Sequence, residues 1–262
     1  MSNPILQFGT SRFLQAHVDF FVSRSPGALG KITVVQTTSS AESAARIDAL
    51  RATMHYPVRI RGRRGAETID TTIECDAITE ALHANTDWPL LLERMKRDVK
   101  VIVSNTADAG YALFDEDSAD LLDGQRTPRG FAAKLAVLLH ARFLAGAAPI
   151  TLLPCELISR NGDTLRDLGI GVARGGHADD AFIAYLKYTM RVGEFAGGPH
   201  RVGSDSSGRR DCRAVRAVGH RASGEYDVAV RARRYRRDGR SRALRTPQAV
   251  DAQSRPHAAR RD

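Results

Sequence analysis

The chain has 262 residues, three cysteines and a formal net charge of +9, with 42% hydrophobic and 6% aromatic residues. That length allows a domain that buries its own core. Cys75, Cys155 and Cys212 are far apart, odd in number and in no C-x-x-C pair, which argues against a disulfide framework or a zinc site and for a reducing, cytoplasmic home. No apolar run reaches membrane-spanning length, and the N-terminus lacks the charged region and apolar core of a signal peptide, so a protein off the membrane is expected.

The charge is not spread evenly. Residues 191–262 carry 18 Arg, no Lys and 8 acids, a net of +10, which leaves residues 1–190 near −1. The second part also has one Leu, one Phe, no Ile and no Trp, too little apolar surface to offset the entropy of ordering it. Two parts are therefore expected: a folded domain over 1–190 and a largely disordered, Arg-rich tail over 191–262.

In chain order, "PILQF" (Pro4 to Phe8) reads as a buried strand. In the "SRFLQAHVDFFVSRS" that follows, Phe13, Leu14, His17, Val18 and Phe21 fall on one helical face. "KITVVQTT" is a second strand, and "SAESAARIDALRA" a helix opened by Ser39 or Ser40 with Glu42 placed for a capping box. The alternation of "YPVRIRG" and "ETIDTTIEC" predicts a hairpin. "DWPLLLERMKRD" is a helix capped by Asp87, "VKVIVSNT" a strand, "GFAAKLAVLLHARFLAG" a long helix and "PITLLPC" another strand. This β-α-β order predicts an α/β domain of Rossmann type, a mostly parallel sheet with helices on both faces.

In such a sheet, ligands bind beyond the carboxyl ends of the strands. In the first of these loops, "FGTSRFLQA", Gly9 can make the tight turn that lets a pyrophosphate approach the helix N-terminus. The second and third glycines of a G-x-G-x-x-G pattern are here Ser11 and Leu14, so on motif grounds a plain strand-turn-helix is about as good a reading. At the end of the second strand, where an acid would hold a ribose, stand Gln36, Thr37 and Thr38, which leaves NAD and NADP both open. Cys155, at a strand end, reads as simply buried, and His17 as a core histidine. Lys134 and Arg142 read as charges of a solvated helix face. No metal-ligand cluster is visible.

Several blocks together carry a resemblance: "ILQFGTSRFLQAHVDFFV", "ITVVQTT", "DWPLLL", "VSNTADAGY", "FAAKLAVLLHAR" and "LLPCELISRNGDTLR". Their order and spacing resemble the polyol dehydrogenase family of mannitol dehydrogenases and hexuronate reductases, most of all its tagaturonate reductase branch, over residues 4 to about 190. The resemblance implies an NAD(P)-dependent oxidoreductase of carbohydrate metabolism, moving hydride between the nicotinamide and a keto-sugar acid or polyol. It implies that Gly9, Thr10, Ser11, Arg12 and Phe13 lie under the cofactor pyrophosphate. Thr37 would lie at the cofactor's edge, and Ser104, Asn105 and Thr106 by the nicotinamide ribose. Asn161 would lie on the substrate side, although "NG" is first of all a turn signal. In this family a lysine of a helical C-terminal domain is the general acid-base, and no lysine follows Lys187 here. No catalytic residue is therefore assigned, and little turnover is expected of this chain.

The tail then has two readings. As a basic arm, its eight arginines between Val230 and Arg245 would bind nucleic acid nonspecifically, with Tyr226 and Tyr235 available to stack on bases. As out-of-frame text, Arg191 to Gly203 can be given codons that read GWVNSLVDRIVS one base later, and Arg213 to Arg221 codons that read EPYALWAI. Both resemble blocks that follow in the family, in the right order. The expectation is a frameshift near Met190 that replaces the helical catalytic domain.

Overall fold

The computed structural model describes residues 3–193, apart from 26, 39, 40, 107 and 118, together with 226–230. Six short strands are laid parallel: β1 (Ile5–Phe8), β2 (Ile32–Gln36), β5 (Ile78–His83), β6 (Val101–Ser104), β7 (Ile150–Pro154) and β8 (Met190–Val192). Side chains of β1 and β2 are buried on both faces, as their mostly apolar runs, with Gln7, Thr33 and Gln36 among them, suit a sheet covered on both sides. Along β1 the period of two sends Leu6 and Phe8 into one core cluster and Ile5 into the other.

Helices supply the opposite walls of these clusters. On one face lie the helical segment Arg12–Arg24, made of α1 (Arg12–Leu14), a π-turn (Gln15–Asp19) and α2 (Phe20–Arg24), and then α3 (Ala41–Thr53). On the other lie α4 (Trp88–Arg97), α5 (Phe131–Leu144), α6 (Asn161–Gly175) and α7 (Asp180–Ala184). Phe182 is fully buried there between His140 and Phe143, with ring centroids 4.8 and 5.4 Å away. The strand order β5-β2-β1-β6-β7-β8 is the doubly wound arrangement, built outward in both directions from β1.

Between α3 and β5 the chain inserts the expected hairpin, β3 (Tyr56–Arg64) and β4 (Glu67–Cys75), paired antiparallel. Arg59 and Asp70, diagonal neighbours across it, form an exposed ion pair at 2.5 Å, of the kind that water screens. A third strand, β9 (Tyr226–Val230), pairs antiparallel with β3. These five residues lie within the stretch whose composition points to a largely disordered tail. Residues 194–225 and 231–262, including Tyr235, lie outside the described residues. The parallel sheet itself continues past Met190 to Val192, and the Gly193 N–H still bonds the Leu152 carbonyl.

Several local expectations change. β5 was not expected, because "ITEALH" is short and carries Glu80 and His83 within an otherwise apolar run. The first helix does not bury a simple 3.6-residue face: its π-turn widens the spiral, so Leu14, Ala16 and Asp19 are buried and Phe21 is 40% exposed. Asp87 makes no cap for α4; its carboxylate instead takes the His83 N–H and pairs with Arg51. Ser39 and Ser40 lie outside the described residues, and Glu42 pairs with Arg46.

The largest correction concerns α5. Lys134 is 1% and Arg142 3% exposed; neither belongs to a solvated face. Arg142 survives burial by donating to the carbonyls of Met95, Ala148 and Pro149. The Lys134 ammonium donates to the Arg129 carbonyl at 2.6 Å. Burial pulls its pKa down to about 8, with Asp117 opposing. Asp117 also accepts the N–H groups of Arg129 and Gly130, both at 2.7 Å, and so fastens the entry to α5. Among the described residues no helix is long and apolar enough to cross a membrane.

Candidate functional site

The strand order reverses between β1 and β6, and it is at the carboxyl ends of strands at such a reversal that a ligand crevice is expected. Gly9 leaves β1 there with φ at +109°, a region that side chains other than glycine's rarely enter. A Cβ on Gly9 would also stand 2.5 Å from the Asn105 carbonyl oxygen. Both the turn and the close approach of the two loops therefore require glycine. The Gly9 N–H bonds Val35 of β2 at 2.9 Å and the Asn105 N–H bonds Phe8 at 3.0 Å, which ties the crevice to the centre of the sheet.

Thr10 is buried, and Ser11 is the N-cap of the following helix. The Ser11 Oγ accepts the Leu14 N–H at 3.2 Å. That explains a serine where the glycine-rich pattern has its second glycine: the side chain turns inward as a cap. Arg12 is exposed and Phe13 half-buried, stacked on His17 at 4.7 Å. The His17 ring bonds the Phe13 carbonyl at 2.9 Å, so it is a satisfied, half-buried histidine. The opening N–H groups of a helix lack intrahelical acceptors and carry the positive end of its dipole, which makes this loop fit for an anionic group.

The other wall is organised by a residue that the sequence did not single out. Glu156, just beyond β7, is 2% exposed. One of its oxygens accepts the Thr106 N–H at 3.0 Å and the Thr106 hydroxyl at 3.1 Å; the other accepts Ser104 Oγ at 3.1 Å and the Tyr111 hydroxyl at 3.3 Å. Four donors on two oxygens hold the whole loop after β6 against the end of β7. Burial and the Glu156 charge push the Tyr111 hydroxyl pKa up. The same two causes raise the Cys155 thiol to about 12, so Cys155 is buried and inert. A usable signal for Glu156 was its place: an acid directly after the apolar run "TLLPC", at a strand's carboxyl end.

Asn105 donates its side-chain amide to the Cys155 carbonyl at 2.8 Å. Asn161 is no turn residue: it opens α6, is 2% exposed, and donates to the carbonyls of Pro154 and Glu156 at 2.8 and 3.0 Å. Gly9, Thr10 and Ser11 thus form one wall, and Ser104, Asn105, Thr106, Glu156 and Asn161 the other. Thr37 stands half-buried just beyond β2. Beside it Gln36 is buried, its Nε2 on the Thr38 carbonyl at 2.6 Å and its Oε1 without a partner among the described residues. Among the described residues the end of β2 therefore offers neutral groups and, at Gln36 Oε1, one unpaired acceptor. Leu113 and Leu157, 55% and 82% exposed, follow β6 and β7. A separate groove between α4 and α5, lined by Leu92, Leu122, Ala141 and Leu144, shares no residue with this edge.

Chemically the edge can bind an anion and orient a neighbouring group, because its donors are fixed before anything arrives. Its carboxylate is fully engaged and its thiol is suppressed, so neither is poised to move protons. Gly9, which a Cβ would block, and the unused Gln36 acceptor fit a dinucleotide lying from the end of β2 across to β6.

No family model matches the chain. Homologues named altronate oxidoreductase align with its N-terminal 70%: that of Halalkalibacterium halodurans is 26% identical over 191 residues, that of Bacillus subtilis 25% over 190, and that of Yersinia enterocolitica 31% over 196. The chain spans only 36 to 38% of these relatives' length. Among solved structures, a D-sorbitol dehydrogenase in substrate-free form superposes with a TM-score of 0.61 and 20% identity, over 73% of this chain and 41% of that one. Pseudomonas fluorescens mannitol 2-dehydrogenase, in a ternary complex with NAD and D-mannitol, gives 0.59 and 16%, over 72% and 40%. These two likenesses establish the shared fold.

Proposed function

We propose that residues 1 to about 190 are the nicotinamide-dinucleotide domain of an oxidoreductase of the mannitol dehydrogenase family, nearest to the altronate-tagaturonate enzymes, acting in the cytoplasm. The observation that carries this reading is Gly9 set against Asn105 at the reversal of the strand order. Gly9, Thr10, Ser11, Arg12 and Phe13 would hold the pyrophosphate, Thr37 the adenosine ribose edge, and Ser104, Asn105 and Thr106 the nicotinamide ribose. Asn161 would then act through the loop it braces, next to the sugar acid or polyol. The cofactor, NAD or NADP, supplies or accepts hydride. The chain's own residues orient it and hold the loops that exclude water.

The tail belongs to the same reading. Its arginine bias and the family-like text one base out of register support a frameshift near Met190, with loss of the lysine-bearing domain. Little turnover is then expected, because proton transfer and substrate positioning both depend on that domain. NADH and NADPH fluorescence titrations, followed by assays with tagaturonate, fructuronate and fructose, test both halves. Binding without turnover is the expected result, and reduction at an ordinary enzymatic rate refutes the second half. The DNA around codon 190 tests the frameshift: the +1 frame must be open and family-like.

The segregated charge favours one alternative, a binding module whose tail grips nucleic acid. Salt-sensitive binding would not distinguish it, since any cationic peptide shows that. A salt-resistant preference for one sequence or structure would.

A further inference from the structure

At the end of β2 one buried atom lacks a partner. Gln36, the last residue of that strand, is 3% exposed. Its Nε2 donates to the Thr38 carbonyl at 2.6 Å. A carbonyl only accepts, so the nitrogen must be the atom that faces Thr38, and the orientation of the amide is fixed. Oε1 is thereby left as an acceptor, and among the described residues nothing donates to it. A buried acceptor without a donor is costly, which makes this a place for a ligand or a water to dock.

The surroundings narrow the chemistry of that ligand. Gln36 lies in register with His83 of β5, whose Nδ1 is also unpartnered among the described residues. By the period of two, Gln36 stands on the side of Val34 and His83 on the side of Ala81, both of the core cluster that α3 covers. The Ala84 N–H bonds the Gln36 carbonyl at 2.9 Å, so the two strand ends are tied together. Residues 36–41 carry no charge. Beyond them Glu42 is paired with Arg46, and Arg51 with Asp87, while Arg12 belongs to the pyrophosphate loop that both cofactors would share. Among the described residues the end of β2 thus has neither the carboxylate that usually takes a ribose 2′-hydroxyl nor an unpaired guanidinium for a 2′-phosphate. It has a fixed, neutral acceptor. A 2′-hydroxyl can donate to it, whereas an ionised 2′-phosphate has only acceptor oxygens and would set acceptor against acceptor.

We propose that Gln36 makes this domain select NAD over NADP, its Oε1 accepting the adenosine ribose 2′-hydroxyl in place of a carboxylate. The proposal rests on the dinucleotide reading, and its test separates the two. With the full chain, calorimetric titrations at neutral pH compare NAD+, its 2′-deoxyadenosine analogue and NADP+. NAD+ is expected to bind about tenfold or more tighter than either, since each of the others leaves the buried acceptor unpaired. Gln36→Met, of similar length but without the acceptor, should bring NAD+ down to the level of the 2′-deoxy analogue and leave the analogue's affinity as it was. Should that variant not fold, Gln36→Glu decides: an acid there must keep NAD+ binding and widen the gap to NADP+ by about a further tenfold. Equal affinity for NAD+ and the 2′-deoxy analogue would mean that water, not ribose, satisfies Oε1, and would overturn the proposal alone. NADP+ binding as tight as NAD+ would do the same, as would a Gln36→Met variant that weakens NAD+ and the analogue equally. Absence of binding by all three ligands would overturn the dinucleotide reading with it.

Discussion

Replacing Glu156 separates a site-organising network from ordinary packing. Glu156→Gln keeps the shape but leaves one oxygen, best spent on the Thr106 N–H and hydroxyl, while its new NH2 faces Ser104 and Tyr111, whose hydroxyls can rotate to accept. The two Thr106 bonds then become neutral ones and the other two both lose the charge and reverse direction, a loss of about 2 kcal/mol. Glu156→Ala strips all four donors of their acceptor. At roughly 1 kcal/mol each, with a cavity added, the expected cost is about 4 kcal/mol or more. Urea unfolding at neutral pH measures both values, and an NADH titration measures the loop: affinity should fall by about tenfold in Glu156→Gln, because the β6 loop loses its fixed position. A Glu156→Ala variant within about 0.5 kcal/mol of the wild type would show that the network does not hold the loop.

Three further outcomes follow from the same geometry. Gly9→Ala combines a positive φ with a clash on the Asn105 carbonyl, so it should lose about 2 kcal/mol in thermal or urea unfolding and most NADH binding; normal binding would show that the two loops are not in contact. For Asp19, the folded pKa of about 7 lies above the unfolded 3.8, so the folded state holds a proton that the unfolded state has released. Its contribution is complete below about pH 4 and is lost as the pH rises to 7, by up to roughly 4 kcal/mol. Asp19→Asn should remove that slope from unfolding curves recorded across the range. Arg142→Ala leaves the carbonyls of Met95, Ala148 and Pro149 without their donor and should cost about 3 kcal/mol, whereas a solvated arginine would cost almost nothing; differential scanning calorimetry distinguishes the two.

Local pattern determined much of this protein. The mostly apolar runs of β1, β2 and β6, the helical periods between them and the alternation of β3 and β4 are written in short windows of sequence, because burial on one or both faces sets the period of the side chains. The glycine after β1 and the loop after β6 were legible too, since in an α/β sheet ligands meet strand ends. What tertiary structure alone decided are the matters of distance across the chain. Glu156 became the keystone of the loop at Ser104 only because β6 and β7 are neighbours. Lys134 and Arg142 read as surface charges until packing covered them and backbone carbonyls accepted their hydrogen bonds. Asp19 was not singled out in the sequence, and a π-turn buried it against β3. In each case a polar group has its partner some distance away in sequence, and only packing shows whether water or protein satisfies it.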